Sequence, residues 1–221
     1  MNAIVRRFVL KDLHFARGVM IGAVLIALLA IPLLTLGPVG RYAAFILMIV
    51  AGAAPGSFIC GALVVTERKE RSNLFALALP ISPVQATLAK ALAAVTAYLV
   101  PWAVLMAGTF ALFYIAHSPK GLLPLGTMVW VFLLDQFCLQ LAVSLTTSSD
   151  ALFTTVIVFC SVSISMYFYV TLSVPTFAAQ LPQAAATWSP MVFKVIAIEL
   201  LIAVALLAYT FWRVSRQKDF V

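Results

Sequence analysis

Two groups of residues could carry chemistry. The first is the run Glu67-Arg68-Lys69-Glu70-Arg71, followed by Leu74, Leu77 and Leu79, a proline at 80, and Ser82-Pro83. Glu67 precedes Arg71 by four residues, a favourable helical pair. Leu74 and Leu77 fall on one helical face. A short helix with an apolar ridge and a charged flank suits docking into a groove on a soluble partner. Charges that only set topology would need no such leucines. The second group is polar residues inside apolar stretches. Asp135, Gln136, Gln140, Ser144 and Thr147 follow one another, then Thr154, Ser161, Ser165 and Tyr169, and Glu199 stands alone further on. Amides, hydroxyls and carboxyls cannot face lipid tails cheaply, so both stripes are expected to point inward, lining a path or an interface. Asp135 and Glu199 are the ionisable members, open to a transport role or to an interhelical hydrogen bond.

Catalysis needs convergent groups, and none is apparent. His14 and His117 are the only histidines, and no zinc-protease helix motif, serine elbow or paired-carboxylate motif occurs. Cys60, Cys138 and Cys160 each sit in an apolar run, as small buried hydrophobes with no metal framework. The chain is read as a non-enzyme. It has no glycine-rich phosphate loop, so any ATP that drives it must be bound by another chain.

The elements that would position these groups are membrane spans. Of 221 residues, 64% are hydrophobic and 10% charged, against roughly 25% charged in a soluble domain. The fold class expected is an all-α integral membrane protein. Six transmembrane helices are predicted at 18–36, 42–65, 91–115, 125–147, 151–173 and 191–212, each near the ~20 residues a bilayer requires. Residues 1–221 form one membrane domain, with 66–82 as a polar segment between the second and third spans. The first span is longer than a signal core and is read as uncleaved.

Residues 2–17 are predicted as an amphipathic helix preceding the spans. Arg6, Arg7, Lys11, His14 and Arg17 fall in one arc, with mostly apolar residues opposite, the pattern of a helix lying in the membrane interface. In the second span Gly52, Gly56 and Cys60 recur every four residues, which suits close helix packing, and Pro55 should kink or open it. Ser82, Pro83 and Gln85 read as a capping box. Ser149 or Asp150, and Ser189 before Pro190, read as later caps.

The net charge is +7. With six spans, all fourteen lysines and arginines except Arg41, Lys120 and Lys194 fall on one side. That distribution accounts for the charge through topology and anionic lipid, with no nucleic acid as partner. It places both termini and the 66–82 segment in the cytoplasm of a bacterial-type inner membrane.

Several strings resemble a known family. These are Glu67-Arg68-Lys69-Glu70, Leu74-x-x-Leu77-x-Leu79-Pro80-Ile81-Ser82, Leu88-Ala89-Lys90 and the earlier Leu10-Lys11-Asp12-Leu13. Together they resemble the opening and the second-to-third-span loop of ABC-2 type transporter permeases. Ser72-Asn73 and Pro83 depart from that family's commoner residues. The resemblance implies a permease subunit that pairs with a second copy, or a relative, to form a path. It also implies docking on a separate ATPase subunit, which holds ATP and Mg, through a coupling helix at about 67–79. Glu67, Arg68, Glu70, Arg71, Leu74 and Leu77 would make that contact. Asp135, Gln136, Gln140, Ser144, Ser161, Ser165 and Glu199 would line the path or interface. The alternative is a proton-coupled secondary transporter using Asp135 and Glu199.

Overall fold

The computed structural model describes residues 3–33, 36–67, 82–115, 119–183 and 185–216. Among them the chain is α-helical: α1 (Ala3–Leu33), α2 (Gly37–Cys60) running into a π-helical turn (Gly61–Thr66), α3 (Pro83–Ile115), α4 (Leu122–Thr146), α5 (Asp150–Ser173), a short α6 (Pro175–Ala178) and α7 (Pro190–Ser215). Six of these are long and apolar enough to cross a bilayer: Arg6–Leu33, Tyr42–Thr66, Val84–Ala111, Leu122–Thr146, Asp150–Ser173 and Pro190–Ser215. The chain is an all-α, multi-pass membrane protein.

The predicted interfacial helix at 2–17 does not stand as a separate element. α1 is unbroken over 31 residues, about 46 Å at ~1.5 Å per residue, against ~30 Å of hydrocarbon. Arg6, Arg7, Lys11, His14 and Arg17 are exposed, but so is Phe15 from the opposite arc. The face that packs carries Asp12, Ala16, Ala23, Ala27 and Ala30, all buried. α3 answers with buried Ala86, Ala89, Ala93, Ala94 and Ala97. Small side chains let two helix backbones approach closely where lipid offers no hydrophobic drive. α1 and α3 are accordingly among the most extensively packed pairs.

α4 is the central helix, touching α2, α3, α5 and α7. Most of its side chains are buried, whereas α5 and α7 keep most of theirs at the surface. Gly52 of α2 lies against Trp130 and Leu133 of α4. A Cβ there would come within 2.8 Å of both side chains. Substituting Gly52 with leucine is therefore expected to pry α2 from α4, costing about 1–3 kcal/mol of overpacking. A clear fall in thermal stability in detergent would register it, and an unchanged melting curve would show that the contact is not tight.

Capping residues begin three helices. Ser82 Oγ accepts from the Gln85 N–H, and Gln85 Oε1 accepts from the Ser82 N–H, both at 3.2 Å, which completes a reciprocal capping box. Ser149 Oγ accepts from the Leu152 N–H at the start of α5, and Ser189 Oγ from the Val192 N–H at the start of α7. At one end of the bundle, Ala16, Val65, Leu145, Phe153 and Val214 share one buried cluster. At the other, Met128, Phe177 and Val192 form a smaller one.

Candidate functional site

Glu67 is the one member of the proposed docking set that lies within the described residues. Arg68, Glu70, Arg71, Leu74 and Leu77 lie outside them, as does the rest of 68–81. Glu67 follows the π-helical turn that ends α2 and meets two lysines. Its Oε1 accepts from Lys11 Nζ of α1 at 2.9 Å, and its Oε2 lies 2.8 Å from Lys90 Nζ of α3. Asp12 is fully buried beside them, its Oδ1 3.5 Å from Lys11 Nζ. Burial pushes the Glu67 carboxyl up. The hydrogen bond and charge of Lys90, joined by those of Lys11, outweigh burial and hold it below the usual carboxylate range. Glu67, at the end of α2, is thus tied by ion pairs to both α1 and α3.

The second site is the seam between α4, α5 and α7. Gln136 turns toward α5, where its Nε2 donates to the Cys160 carbonyl (3.1 Å) and to Ser163 Oγ (3.0 Å). Asp135, about 100° further round α4, turns toward α7 and meets the backbone at Ala203. Glu199 lies one turn before Ala203 on α7. The Tyr167 hydroxyl of α5 donates to Glu199 Oε1 at 2.5 Å. Ser144 Oγ donates to the Leu141 carbonyl. Asp135, Gln136, Gln140, Ser144 and Glu199 are all buried. Asp135 Oδ1, Gln140 Oε1 and Glu199 Oε2 are buried without a hydrogen-bond partner. Thr147 forms the C-cap of α4, where its hydroxyl accepts from the Ser149 N–H.

The α5 stripe is a correction. Thr154, Ser161, Ser165 and Tyr169 are exposed and point away from the bundle. The inward face of α5 carries Phe153, Cys160, Ser163 and Tyr167 instead. Thr154 and Ser161 each bond the carbonyl four residues back. That local bond lowers the cost of a hydroxyl in an apolar setting, so a hydroxyl stripe does not by itself mark the packed face.

Tyr167, bonded to Glu199, is a residue of the seam that the sequence did not single out. Lys11 and Lys90 were read as lipid-facing and topological charges, and their shared partner is 56 and 23 residues away respectively. At the end opposite Glu67, an apolar crevice of about 350 Å³ opens between α2, α3, α4 and α5. Phe45, Met48, Val129, Trp130, Phe168 and Leu172 are among its walls.

No family model, curated protein or solved structure matches the chain.

Proposed function

We propose that this chain is the membrane-spanning subunit of an ATP-driven exporter of the ABC-2 type. It works as a dimer, with the path between two copies. The observation that carries the reading is the outward stripe on α5. Ser161 and Ser165 lie mid-span and Tyr169 toward the end, all exposed, on a helix that packs sparsely on its own subunit. A polar stripe turned away from its own bundle at bilayer depth fits a path or an interface that a second subunit completes. The Glu67 node supports the coupling half of the proposal, because a push on the 67–79 segment would pass directly into α1, α2 and α3. Hydrolysis of ATP with Mg belongs to the separate ATPase subunit. By charge distribution the segment and both termini face the cytoplasm of a bacterial-type inner membrane.

Two measurements test this. With Cys60, Cys138 and Cys160 replaced by alanine, Ser165→Cys should cross-link two copies in membranes, whereas Ser173→Cys, at the end of α5, should cross-link less. Equal and negligible cross-linking at both would remove the dimer path. Leu74→Asp with Leu77→Asp should weaken a complex with the partner ATPase more than about tenfold, since burying an unpaired charge exceeds the ~1.4 kcal/mol which that factor represents. An undiminished complex with intact ATPase coupling would sink the docking assignment.

A proton-coupled secondary transporter is the second reading, favoured by the buried Asp135 and Glu199 and the Tyr167 hydroxyl bonded to Glu199. It requires transport to follow the proton gradient in the absence of any ATPase.

A further inference from the structure

The α4–α7 seam buries two carboxyls with nothing to neutralise them. Asp135 is 7% exposed and Glu199 5%, and each keeps one oxygen without a partner. Both lie mid-span, where water cannot screen them. An ionised carboxylate so placed costs several kcal/mol, and two that interact disfavour each other further.

Among the described residues neither carboxyl forms an ion pair. On α4 the charged residue is Asp135 alone, and on α5 it is Asp150 at the first turn. α7 carries Lys194, exposed and five residues before Glu199, and Arg213, fourteen residues after it and about 21 Å along the axis. Of the helices packed on α4 and α7, α2 carries Arg41 in its first turns, and α3 carries Lys90, engaged by Glu67. The other titratable groups coupled to the pair are Tyr167 and Cys138. A phenol and a thiol are ordinarily neutral at physiological pH. The Tyr167 ring stacks on Phe132 of α4, with centroids 4.2 Å apart, which fixes its hydroxyl on Glu199. The species left to neutralise the seam is the proton.

We propose that Asp135, Glu199 and Tyr167 form a proton-binding site inside the bundle. The two carboxyls hold at least one proton between them at neutral pH, and its occupancy sets the strength of the α4–α7 seam. Binding transfers a proton from water to Asp135 Oδ1 or Glu199 Oε2, and release returns it to water. Tyr167 keeps its own proton throughout, donating to Glu199 Oε1. The site depends on neither account of how transport is powered, because a chain that moves nothing can still be protonated. The infrared result and the transport result are therefore separable.

The test is infrared spectroscopy of the full chain in lipid nanodiscs at neutral pH. The wild type should show a protonated-carboxyl C=O band that shifts in D2O. That band should fall in Asp135→Asn or Glu199→Gln and fall furthest in the double variant. Its melting temperature should drop as the pH is raised from mildly acidic to alkaline, and that dependence should flatten in the double variant. An identical band in wild type and double variant overturns the proposal. So does a band abolished by sodium chloride at constant pH, which would make the site one for a metal cation. If the double variant does not fold, Tyr167→Phe decides. Loss of the phenol bond to Glu199 should shift or weaken the protonated-carboxyl band, and a band identical to that of the wild type overturns the site.

Discussion

Glu67→Lys is expected to produce the largest loss at the Glu67 end of the bundle, about 3 kcal/mol or more of stability. The carboxylate sits between Lys11 and Lys90 at 2.9 and 2.8 Å, so the change sets three ammonium groups together. Removing one partner of a fully buried pair costs about 3–5 kcal/mol, and an exposed pair contributes about 0–1. The Lys90 and Glu67 side chains are 10% and 19% exposed, whereas Lys11 is 59% exposed. The Glu67–Lys90 arm thus lies nearer the buried limit and the Lys11 arm nearer the exposed one. Lys11→Met should cost about 1 kcal/mol or less. Lys90→Met should cost more, and the exchange Glu67→Lys with Lys90→Glu should recover part of the loss. Thermal unfolding in detergent reads all four. Equal losses for Lys11→Met and Glu67→Lys would show that the node is not organised this way.

The sign with pH follows from the same contacts. Glu67 is held below its ordinary value of 4.5. Its contribution is fully present above the unfolded carboxylate range and is lost as the pH falls through the lower folded value. Glu67→Gln should remove that acid-side loss. In the proposed exporter Lys90→Met, which leaves the docking residues in place, should retain the ATPase complex and weaken transport, because Glu67 would no longer be tied to α3.

Local chemistry in this chain was legible before the fold. The capping box at Ser82 and Gln85 and the caps at Ser149 and Ser189 involve partners three residues away, so sequence spacing determines them. The six apolar helices follow from composition, because a bilayer demands length and hydrophobicity before anything else. The direction of α5 was not legible. A hydroxyl can bond its own helix, so Ser161 is compatible with either face, and only packing decides. Glu67 was singled out as one flank of a docking helix, but its partnership with Lys11 and Lys90 depends on how three helix ends converge. The alanines of α1 and α3 look unremarkable in a sequence this apolar, yet they set which helices touch. Tyr167 lay hidden between Tyr169 on one side and Ser165 on the other, since residues two apart on a helix diverge by about 200°.

Tyr98 provides the second large effect, because one side chain joins three helices. It is 1% exposed on α3, stacked on Phe137 of α4 with ring centroids 4.0 Å apart. Its hydroxyl lies 3.1 Å from the carbonyls of both Gly52 on α2 and Leu133 on α4. Gly52 also packs directly on Trp130 and Leu133 of α4, so the hydroxyl sits at a close α2–α4 contact. Two contributions can be separated. Tyr98→Phe keeps the ring and removes the hydroxyl, and hydrogen bonds between membrane helices average about 0.6 kcal/mol. The two carbonyls keep their own helical bonds, so the expected loss is only about 1 kcal/mol. Tyr98→Ala also empties the space against Phe137, and an aromatic-to-alanine cavity costs about 3–5 kcal/mol. The ratio carries the argument. A phenylalanine variant as damaged as the alanine variant would mean that the hydroxyl, not the stacked ring, holds α2, α3 and α4 together. An alanine variant as mild as phenylalanine would mean that the helices close over the cavity. Unfolding titrations of both variants in the same detergent distinguish these outcomes, with Gly52→Leu as the reference for separating α2 from α4 while Tyr98 is left in place.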